Sequence, residues 1–213
     1  PGAARHRRLG GGAGRPMTVA PSTNGAPGRT LDAETAKRVK FVAIDVDGVL
    51  TDGGIFLGDV DGRRMEFKKY DIQDGLGILM LRWADIKVGI ITGRVSESVT
   101  LRAAELKVDE LVQDEHARKL PALIKICKRL GIGLDEVAFI GDDLPDVGVL
   151  RAVGLAVVVG NATESAVNSA TLQLTRPGGG GAVREFCETL LRARGEWDAL
   201  VERYVVSRSE TNP

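Results

Sequence analysis

Short apolar runs alternate with amphipathic stretches along most of the chain, and the two patterns predict strands and helices in turn. Apolar, β-branched runs predict strands at residues 39–46, 87–91, 111–113, 137–140, 155–159 and 171–175. Apolar residues at helical spacing predict helices at residues 74–84, 96–106, 117–130, 146–153, 162–169, 182–193 and 197–204. Because most of these strands are apolar throughout, the order indicates an α/β fold, with a parallel sheet covered by helices on both faces.

Two parts of the chain depart from this alternation. Residues 53–70 have the pattern of a β-hairpin, with Asp61-Gly62 as a typical turn sequence. Residues 1–30 are rich in Gly, Ala, Arg and Pro, which predicts a disordered leader. We therefore expect a single domain over residues 31–205, followed by a flexible tail at 206–213.

Composition narrows the choice of partners. Basic and acidic residues balance at 29 each, so no overall field favours nucleic acid, and only 4% of residues are aromatic. No apolar run approaches the ~20 residues that span a bilayer. Cys127 and Cys187 have no metal-ligand spacing and are typical of reduced thiols. We expect a cytoplasmic protein that binds neither nucleic acid nor a membrane.

Polar residues suited to phosphate chemistry follow several of the predicted strands. In parallel sheets such residues meet at one edge, beyond the carboxyl ends of the strands. The first strand ends in an Asp-x-Asp pair, whose two members start on the same side of the strand. The set comprises Asp45, Asp47, Thr92, Gly93, Arg94, Lys119, Asp142, Asp143 and Asp146.

These residue types together indicate phosphoryl transfer. A carboxylate can attack phosphorus, while a second carboxylate protonates the leaving alcohol and later activates water. Oxygen ligands suit Mg²⁺, and a lysine neutralises charge on the transferring group. Each residue alone is more often a turn, a helix cap or a solvated charge, but the ordered set favours a metal-assisted site.

The ordered set resembles a known superfamily. Residues 45–53 (Asp-Val-Asp-Gly-Val-Leu-Thr-Asp-Gly), 91–94 (Ile-Thr-Gly-Arg), Lys119 and 141–146 (Gly-Asp-Asp-Leu-Pro-Asp) resemble, in order, the four motifs of the haloacid dehalogenase (HAD) superfamily. Residues 49–53 and 178–185 resemble its capless branch, the 3-deoxy-D-manno-octulosonate 8-phosphate (KDO 8-phosphate) phosphatases. The resemblance implies a Rossmann-like HAD fold without a cap domain, with a β-hairpin flap after the first strand.

The resemblance also implies catalytic and metal-binding roles. Asp45 would be the nucleophile and a Mg²⁺ ligand. Asp47 would be the general acid/base and would bind the metal through its backbone carbonyl. Asp142 would be the third protein ligand, and Lys119 would neutralise charge in the site. Lys125 and Lys128 lie further into the same predicted helix and are the residues that could be mistaken for Lys119.

The remaining implied roles concern the substrate, a small sugar-acid phosphate. Thr92 and the Gly93 amide would hold the phosphoryl oxygens, and Arg94 would reach the substrate. Asp143 would orient Lys119 or a metal-bound water. Gln73 departs from the pattern, because the family has a basic residue at this position. The C-terminal segment 197–213 also differs from the tails of the sugar-acid enzymes.

The resemblance further implies a homotetramer, in which the hairpin at residues 53–70 forms part of a central barrel and partly covers a neighbour's site. Four alternatives stay open. Relatives that act on nine-carbon sugar acids (KDN or N-acylneuraminate 9-phosphate) have the same fold, as does the phosphatase-like domain of some cytidylyltransferases. A receiver-like module phosphorylated on Asp, or a catalytically silent scaffold, would belong to a different functional class.

Overall fold

The structure, a computed structural model, describes residues 30–209. Six parallel strands form one sheet in the order β5-β4-β1-β6-β7-β8, and β2 and β3 form a separate antiparallel hairpin. The strands are β1 (Phe41–Ile44), β2 (Phe56–Val60), β3 (Arg63–Phe67), β4 (Lys87–Thr92), β5 (Glu110–Gln113), β6 (Val137–Gly141), β7 (Leu155–Val158) and β8 (Leu172–Gln173). The prediction of a parallel α/β sheet is confirmed.

Helices cover both faces of the sheet. They are α1 (Ala33–Arg38), α2 (Ile72–Trp83), α3 (Glu97–Leu106), α4 (Lys119–Leu130), α5 (Val147–Leu150), α6 (Glu164–Val167), α7 (Ala182–Arg194) and α8 (Trp197–Ser209). Gly131 ends α4 in the left-handed conformation, as expected for a C-terminal glycine. No helix among residues 30–209 is long and apolar enough to cross a membrane.

Two hydrophobic cores lie on opposite faces of the sheet, because successive side chains of a strand point to opposite sides. Along β1, Val42 and Ile44 enter the core that includes α2 and α7, whereas Phe41 and Ala43 enter the core that includes α4 and α5. Every residue of β1 is therefore buried. This central strand gives the residues that follow it a rigid starting point.

The predicted hairpin is present, with its turn at Asp61-Gly62. Both residues have positive φ, 53° and 74°, which is the geometry of a two-residue hairpin turn. The hairpin exposes several large apolar side chains, namely Ile55, Phe56, Leu57, Val60, Met65 and Phe67. A group of large exposed apolar side chains on one element is typical of a protein interface.

Element ends differ from the predictions at several places. β1 is shorter than expected because Asp45 and Val46 already belong to an irregular turn. Ser96 precedes α3 but makes no side-chain cap; its backbone amide donates to Gln113 Oε1 at 2.7 Å instead. α8 continues to Ser209, beyond the expected end at residue 204. The predicted leader falls on residues 1–29 and the end of the tail on 210–213, outside the described residues.

Candidate active site

The site is built at the carboxyl edge of the three central strands. β1 lies between β4 and β6, so Asp45, Thr92 and Asp142 stand at neighbouring strand ends. The backbone amide of Asp45 donates to the Ile140 carbonyl at 3.0 Å, which fixes Asp45 against β6. The expected convergence of strand-end residues is therefore present in the structure.

Lys119 lies at the floor of the site between two carboxylates. Its Nζ is 2.8 Å from Asp45 Oδ1 and 2.6 Å from Asp146 Oδ1, and all three side chains are almost fully buried. Burial alone would lower the pKa of Lys119, but the charges of Asp45 and Asp146 outweigh it and raise that pKa. Lys119 therefore remains an ammonium group beside the proposed nucleophile. Lys125 and Lys128 are exposed on the same helix.

Three carboxylates converge on a space that suits a cation. Asp45, Asp142 and Asp146 each offer an oxygen, and these atoms lie within 4.8 Å of one another. Burial and the Asp146 carboxylate raise the pKa of Asp45 and of Asp142 to about 7. Three acids against one lysine leave an excess of negative charge, which a divalent cation would neutralise. The donor set therefore fits a hard metal ion such as Mg²⁺.

Gly48 allows this close approach. A Cβ at Gly48 would lie 2.1 Å from Asp142 Oδ2, and the residue has φ +87°, which favours glycine. The catalytic turn after β1 thus passes directly beside the third carboxylate. A side chain at this position would fill the space into which Asp142 projects.

Asp146 has a larger part in the site than the sequence indicated. Besides its ion pair with Lys119, its Oδ2 accepts hydrogen bonds from the backbone amides of Asp142 (2.9 Å) and Asp143 (3.3 Å). The side chain of Asp143 accepts from the Leu144 amide at 2.7 Å. Its expected contact with Lys119 is made by Asp146, while its other expected role, orienting a metal-bound water, stays a prediction. The carboxylate that orients Lys119 in the structure is therefore Asp146.

Asp47 points toward the hairpin. Its Oδ1 accepts a hydrogen bond from Lys68, and its Oδ2 lies 3.7 Å from Arg94 Nε. Glu66 joins both cations, at 3.1 Å from Lys68 Nζ and 2.5 Å from Arg94. Burial would lower the pKa of Lys68, but its bonds to Asp47 and Glu66 outweigh burial and raise it.

Lys68 and Glu66 were missed by sequence reasoning. The segment 64–69 shows only a mixture of charged and apolar residues on a predicted strand, which is common on exposed hairpins. The one available indication is the lysine directly after β3, since a chain returning from the hairpin must pass close to the strand end from which it left. The Thr51–Tyr70 bridge is where the chain returns.

The predicted phosphate-binding residues lie at the end of β4. Thr92 is buried, and its Oγ1 accepts from the Arg94 amide at 3.4 Å. A Cβ at Gly93 would lie 2.9 Å from the Cβ of Ala117, so glycine lets the two loops approach each other. The structure thus brings Thr92, Gly93 and Arg94 to the same edge as Asp45 and Asp47.

The glycine-rich loop at residues 178–181 supports the catalytic turn. The Gly179 amide donates to the Val49 carbonyl at 3.0 Å. A Cβ at Gly178 would lie 1.7 Å from the Gly48 carbonyl oxygen. Both Gly178 and Gly179 are buried. The loop is therefore packed directly, main chain against main chain, behind the turn that carries Asp47.

Gln73, the departure in the sequence, lies beside a basic residue. Its Oε1 accepts from Arg176 at 3.0 Å, and both residues line a cavity of about 410 Å³. None of the predicted catalytic residues lines this cavity. A guanidinium therefore stands next to the position where the sequence lacks a basic side chain.

Comparison with known proteins agrees with this geometry. Residues 110–183 match the haloacid dehalogenase-like hydrolase family. The chain is 40% identical over 163 residues to the KDO 8-phosphate phosphatase KdsC of Escherichia coli K12, covering 76% of this chain and 85% of that protein.

Two solved structures are also similar. The KDO 8-phosphate phosphatase from Moraxella catarrhalis, in complex with magnesium, phosphate and KDO, has 41% identity and a TM-score of 0.76, with 81% of this chain and 97% of that chain covered. The cobalt-bound enzyme from Haemophilus influenzae has 35% identity and a TM-score of 0.70, with 76% and 92% covered.

The fold and the strand-end acids define a hydrolase of phosphoric monoesters. The chain belongs to the haloacid dehalogenase-like hydrolase family, and within it the chain is similar to the KDO 8-phosphate phosphatases. The similarity to phosphatases supports an enzyme and counts against the receiver and the silent scaffold, which are both non-enzymatic.

Proposed function

We propose that this protein is a Mg²⁺-dependent phosphomonoesterase that releases phosphate from a small sugar-acid phosphate, with KDO 8-phosphate as the preferred substrate. The observation that carries the proposal is the position of Asp45. Its carboxylate lies 2.8 Å from a buried lysine and within 4.8 Å of two further carboxylates. A nucleophile beside a cation and a metal-type cluster suits attack on a phosphate group.

The metal would be held by Asp45 and Asp142, with the backbone carbonyl of Asp47 as a third ligand. Asp146 is close enough to contribute, but it is already bonded to Lys119 and to two backbone amides. We therefore assign Asp146 to the lysine. When bound, Mg²⁺ would neutralise charge and polarise the phosphoryl group.

The reaction proceeds in two steps on this chain's residues. In the first, a carboxylate oxygen of Asp45 forms a bond to phosphorus while the bond from phosphorus to the sugar oxygen breaks. Asp47 gives its proton to that departing oxygen. In the second step, Asp47 takes a proton from water, the water oxygen attacks phosphorus, and the bond to Asp45 breaks. Lys119, Thr92 and the Gly93 amide stabilise the phosphoryl charge.

The leaving group would lie in a groove next to Lys68, the hairpin residue that contacts Asp47, and Glu66, which contacts Lys68. This groove has a volume of about 600 Å³ and is lined by Glu66, Lys68, Tyr70 and Arg102 among others, which is a usual size for a small-molecule site. Its lining includes three basic side chains (Arg64, Lys68 and Arg102) and three acidic ones (Glu66, Glu97 and Glu105). The names of the similar proteins support KDO 8-phosphate over the nine-carbon alternatives.

The assembly we propose is a homotetramer. The hairpin exposes Phe56 and Leu57 by 54% and 67% respectively, together with four other large apolar side chains. Burying such side chains stabilises an interface by about 25 cal/mol per Å² of apolar surface. Among residues 30–209, the hairpin has the largest group of exposed large apolar side chains and is therefore the surface best suited to contact between copies.

A substrate panel tests the proposed function. Purified protein with Mg²⁺ is assayed for kcat/KM on KDO 8-phosphate, KDN 9-phosphate, N-acetylneuraminate 9-phosphate and simple hexose phosphates. We expect KDO 8-phosphate to be hydrolysed with the highest kcat/KM. A higher value on a nine-carbon acid would move the assignment to that substrate.

The covalent intermediate is tested separately. Rapid acid quenching during turnover, followed by mass spectrometry, should find phosphate on the peptide that contains Asp45. Asp45→Asn should fold normally and lose activity on every substrate of the panel. Substantial turnover by this variant would exclude Asp45 as the nucleophile.

A further inference from the structure

The acid/base half of the site contains four ionisable side chains that contact one another. Lys68 has no exposed side-chain surface; it donates to Asp47 Oδ1 and lies 3.1 Å from Glu66 Oε1. The other oxygen of Glu66 lies 2.5 Å from Arg94. We call Asp47, Glu66, Lys68 and Arg94 the acid quartet. The acid quartet thus pairs two carboxyl groups with two basic side chains.

The two oxygens of Asp47 have different surroundings. Oδ1 is occupied by Lys68, whereas Oδ2 is buried and accepts no hydrogen bond from any residue among 30–209. The Arg94 side chain is 3.7 Å from Oδ2, which is too far for a hydrogen bond. A buried acceptor without a partner is costly and is expected to have a functional reason. Oδ2 is the oxygen left free to exchange a proton.

We propose that Lys68 is a positioning residue that selects Oδ2 of Asp47 as the proton-transferring atom, and that Glu66 holds Lys68 in place. This inference rests on the proposed phosphatase function. In the first step, the proton on Oδ2 passes to the leaving oxygen as the phosphorus–oxygen bond breaks. In the second step, the same oxygen receives the proton of the attacking water.

The base of the hairpin places Lys68, and not its neighbour Lys69, against Asp47. Lys68 directly follows β3 and is buried, whereas its neighbour Lys69 is 68% exposed and lies only within 4.0 Å of Asp52. The ammonium group of Lys68 reaches Asp47 because the base of the hairpin packs on the site of its own chain. The hairpin base and the acid quartet form one unit within a single chain.

The effect of Lys68 on the position of Asp47 can be measured by varying the basicity of the leaving group. A series of substituted phenyl phosphates, from p-nitrophenyl to unsubstituted phenyl phosphate, keeps the substrate shape similar while the leaving oxygen becomes more basic. kcat/KM reports the steps up to transfer of phosphorus to Asp45. A poor leaving group needs protonation in that step, whereas p-nitrophenolate does not, so the ratio isolates proton donation from binding.

Lys68→Met should lower kcat/KM for phenyl phosphate ~10-fold or more beyond its effect on p-nitrophenyl phosphate, because general acid catalysis supplies ~10²–10⁴-fold. Glu66→Gln should give the same pattern to a smaller degree, and Lys68→Arg should restore part of the loss. Asp47→Asn, which removes the proton donor, shows how far the ratio changes when general acid catalysis is lost completely. Lys69→Met, a lysine substitution at the adjacent exposed position, should leave the ratio unchanged.

Equal losses on all phenyl phosphates in Lys68→Met would overturn the proposal, since a general distortion of the site has no preference among leaving groups. A folded Lys68→Met variant with wild-type kcat/KM on every phenyl phosphate would overturn it too. Thermal unfolding of each variant confirms folding, and Lys68→Arg and Glu66→Gln carry the test if Lys68→Met is unstable. Failure of the wild-type protein to hydrolyse any phosphate ester would instead refute the proposed function.

Discussion

Lys119 and Asp146 are joined by a 2.6 Å ion pair in which both side chains are almost fully buried. The pair is not isolated, because the same ammonium group lies 2.8 Å from Asp45. A buried pair of this kind is strongly destabilising to break, since the remaining charge has no partner. Its position thus links the stability of the fold to the placement of the nucleophile.

Lys119→Met should destabilise the protein and remove most of its activity. Asp45 and Asp146 would lose the lysine that pairs with both of them, so we expect the free energy of unfolding in metal-free buffer to fall by ~3 kcal/mol or more. kcat/KM should fall by ~10²-fold or more because charge on the phosphoryl group is no longer neutralised. Urea unfolding and steady-state assays measure the two effects. Lys125→Met, an exposed lysine on the same helix, is the control, and equal losses in both variants would contradict the role of Lys119.

The metal-free protein should become less stable as the pH rises. The pKa values of Asp45 and Asp142 are about 7 in the fold, because burial and Asp146 favour the protonated form, whereas both ionise near ~3.9 in the unfolded chain. The folded state therefore binds more protons between these values. Their stabilising contribution is complete at low pH and is lost as the pH rises through about 7.

Thermal unfolding in EDTA and in Mg²⁺ measures this dependence. Between about pH 5 and pH 8 the melting temperature in EDTA should fall, and the increase caused by Mg²⁺ should grow, because the metal favours ionised carboxylates. Asp142→Asn should reduce that increase. A melting temperature in EDTA that stays level or rises over this range would contradict the raised pKa values.

Gly48→Ala should impair metal binding more than folding. The added Cβ would lie 2.1 Å from Asp142 Oδ2, so the carboxylate must leave the position in which it faces Asp45 and Asp146. We expect a weaker affinity for Mg²⁺ and a loss of activity, both measured by titration of the metal. Gly62→Ala is a matched control, because Gly62 also has positive φ (+74°) but has no atom within 4 Å of the added Cβ. Backbone strain costs ~1–2 kcal/mol in either variant. A normal Mg²⁺ affinity in Gly48→Ala would show that Asp142 is not a ligand.

Leu57→Glu should reduce the size of the assembly. Leu57 is 67% exposed on the hairpin, and a charge buried in an apolar interface has a high desolvation cost. Light scattering during size-exclusion chromatography should find a tetramer for the wild-type protein and smaller species for this variant. Ile124→Glu places the same charge at a 48% exposed apolar position on α4 and should leave the tetramer intact. A monomeric wild-type protein would refute the proposed assembly.

The catalytic edge of the sheet was predictable because parallel strands end on the same side. Asp45, Thr92 and Asp142 follow apolar strands directly, so their neighbourhood depends only on strand order and direction. The hairpin was predictable for a similarly local reason. Asp-Gly is a residue pair that readily adopts the positive φ angles of a tight turn, and Asp61 and Gly62 have those angles.

Other parts of the site depend on contacts across long distances in the chain. Lys68 reaches Asp47 over 21 residues, and the direction of an exposed hairpin is set by packing at its base rather than by its own pattern. The contact between Asp146 and Lys119 was not predictable from the sequence for a different reason. Both follow the same strand, and only the short turn at residues 144–146 decides which carboxylate faces Lys119.

The main-chain contact between Gly178 and the Gly48 carbonyl has an evolutionary consequence. One wall of the site is made of peptide groups. Any side chain added at Gly178 would collide with the Gly48 carbonyl and displace the catalytic turn. The opposite wall is made of long charged side chains from the hairpin, whose replacement leaves the backbone in place. Divergence toward new phosphate esters should therefore accumulate on the hairpin side, while the glycine wall changes little over the history of the lineage.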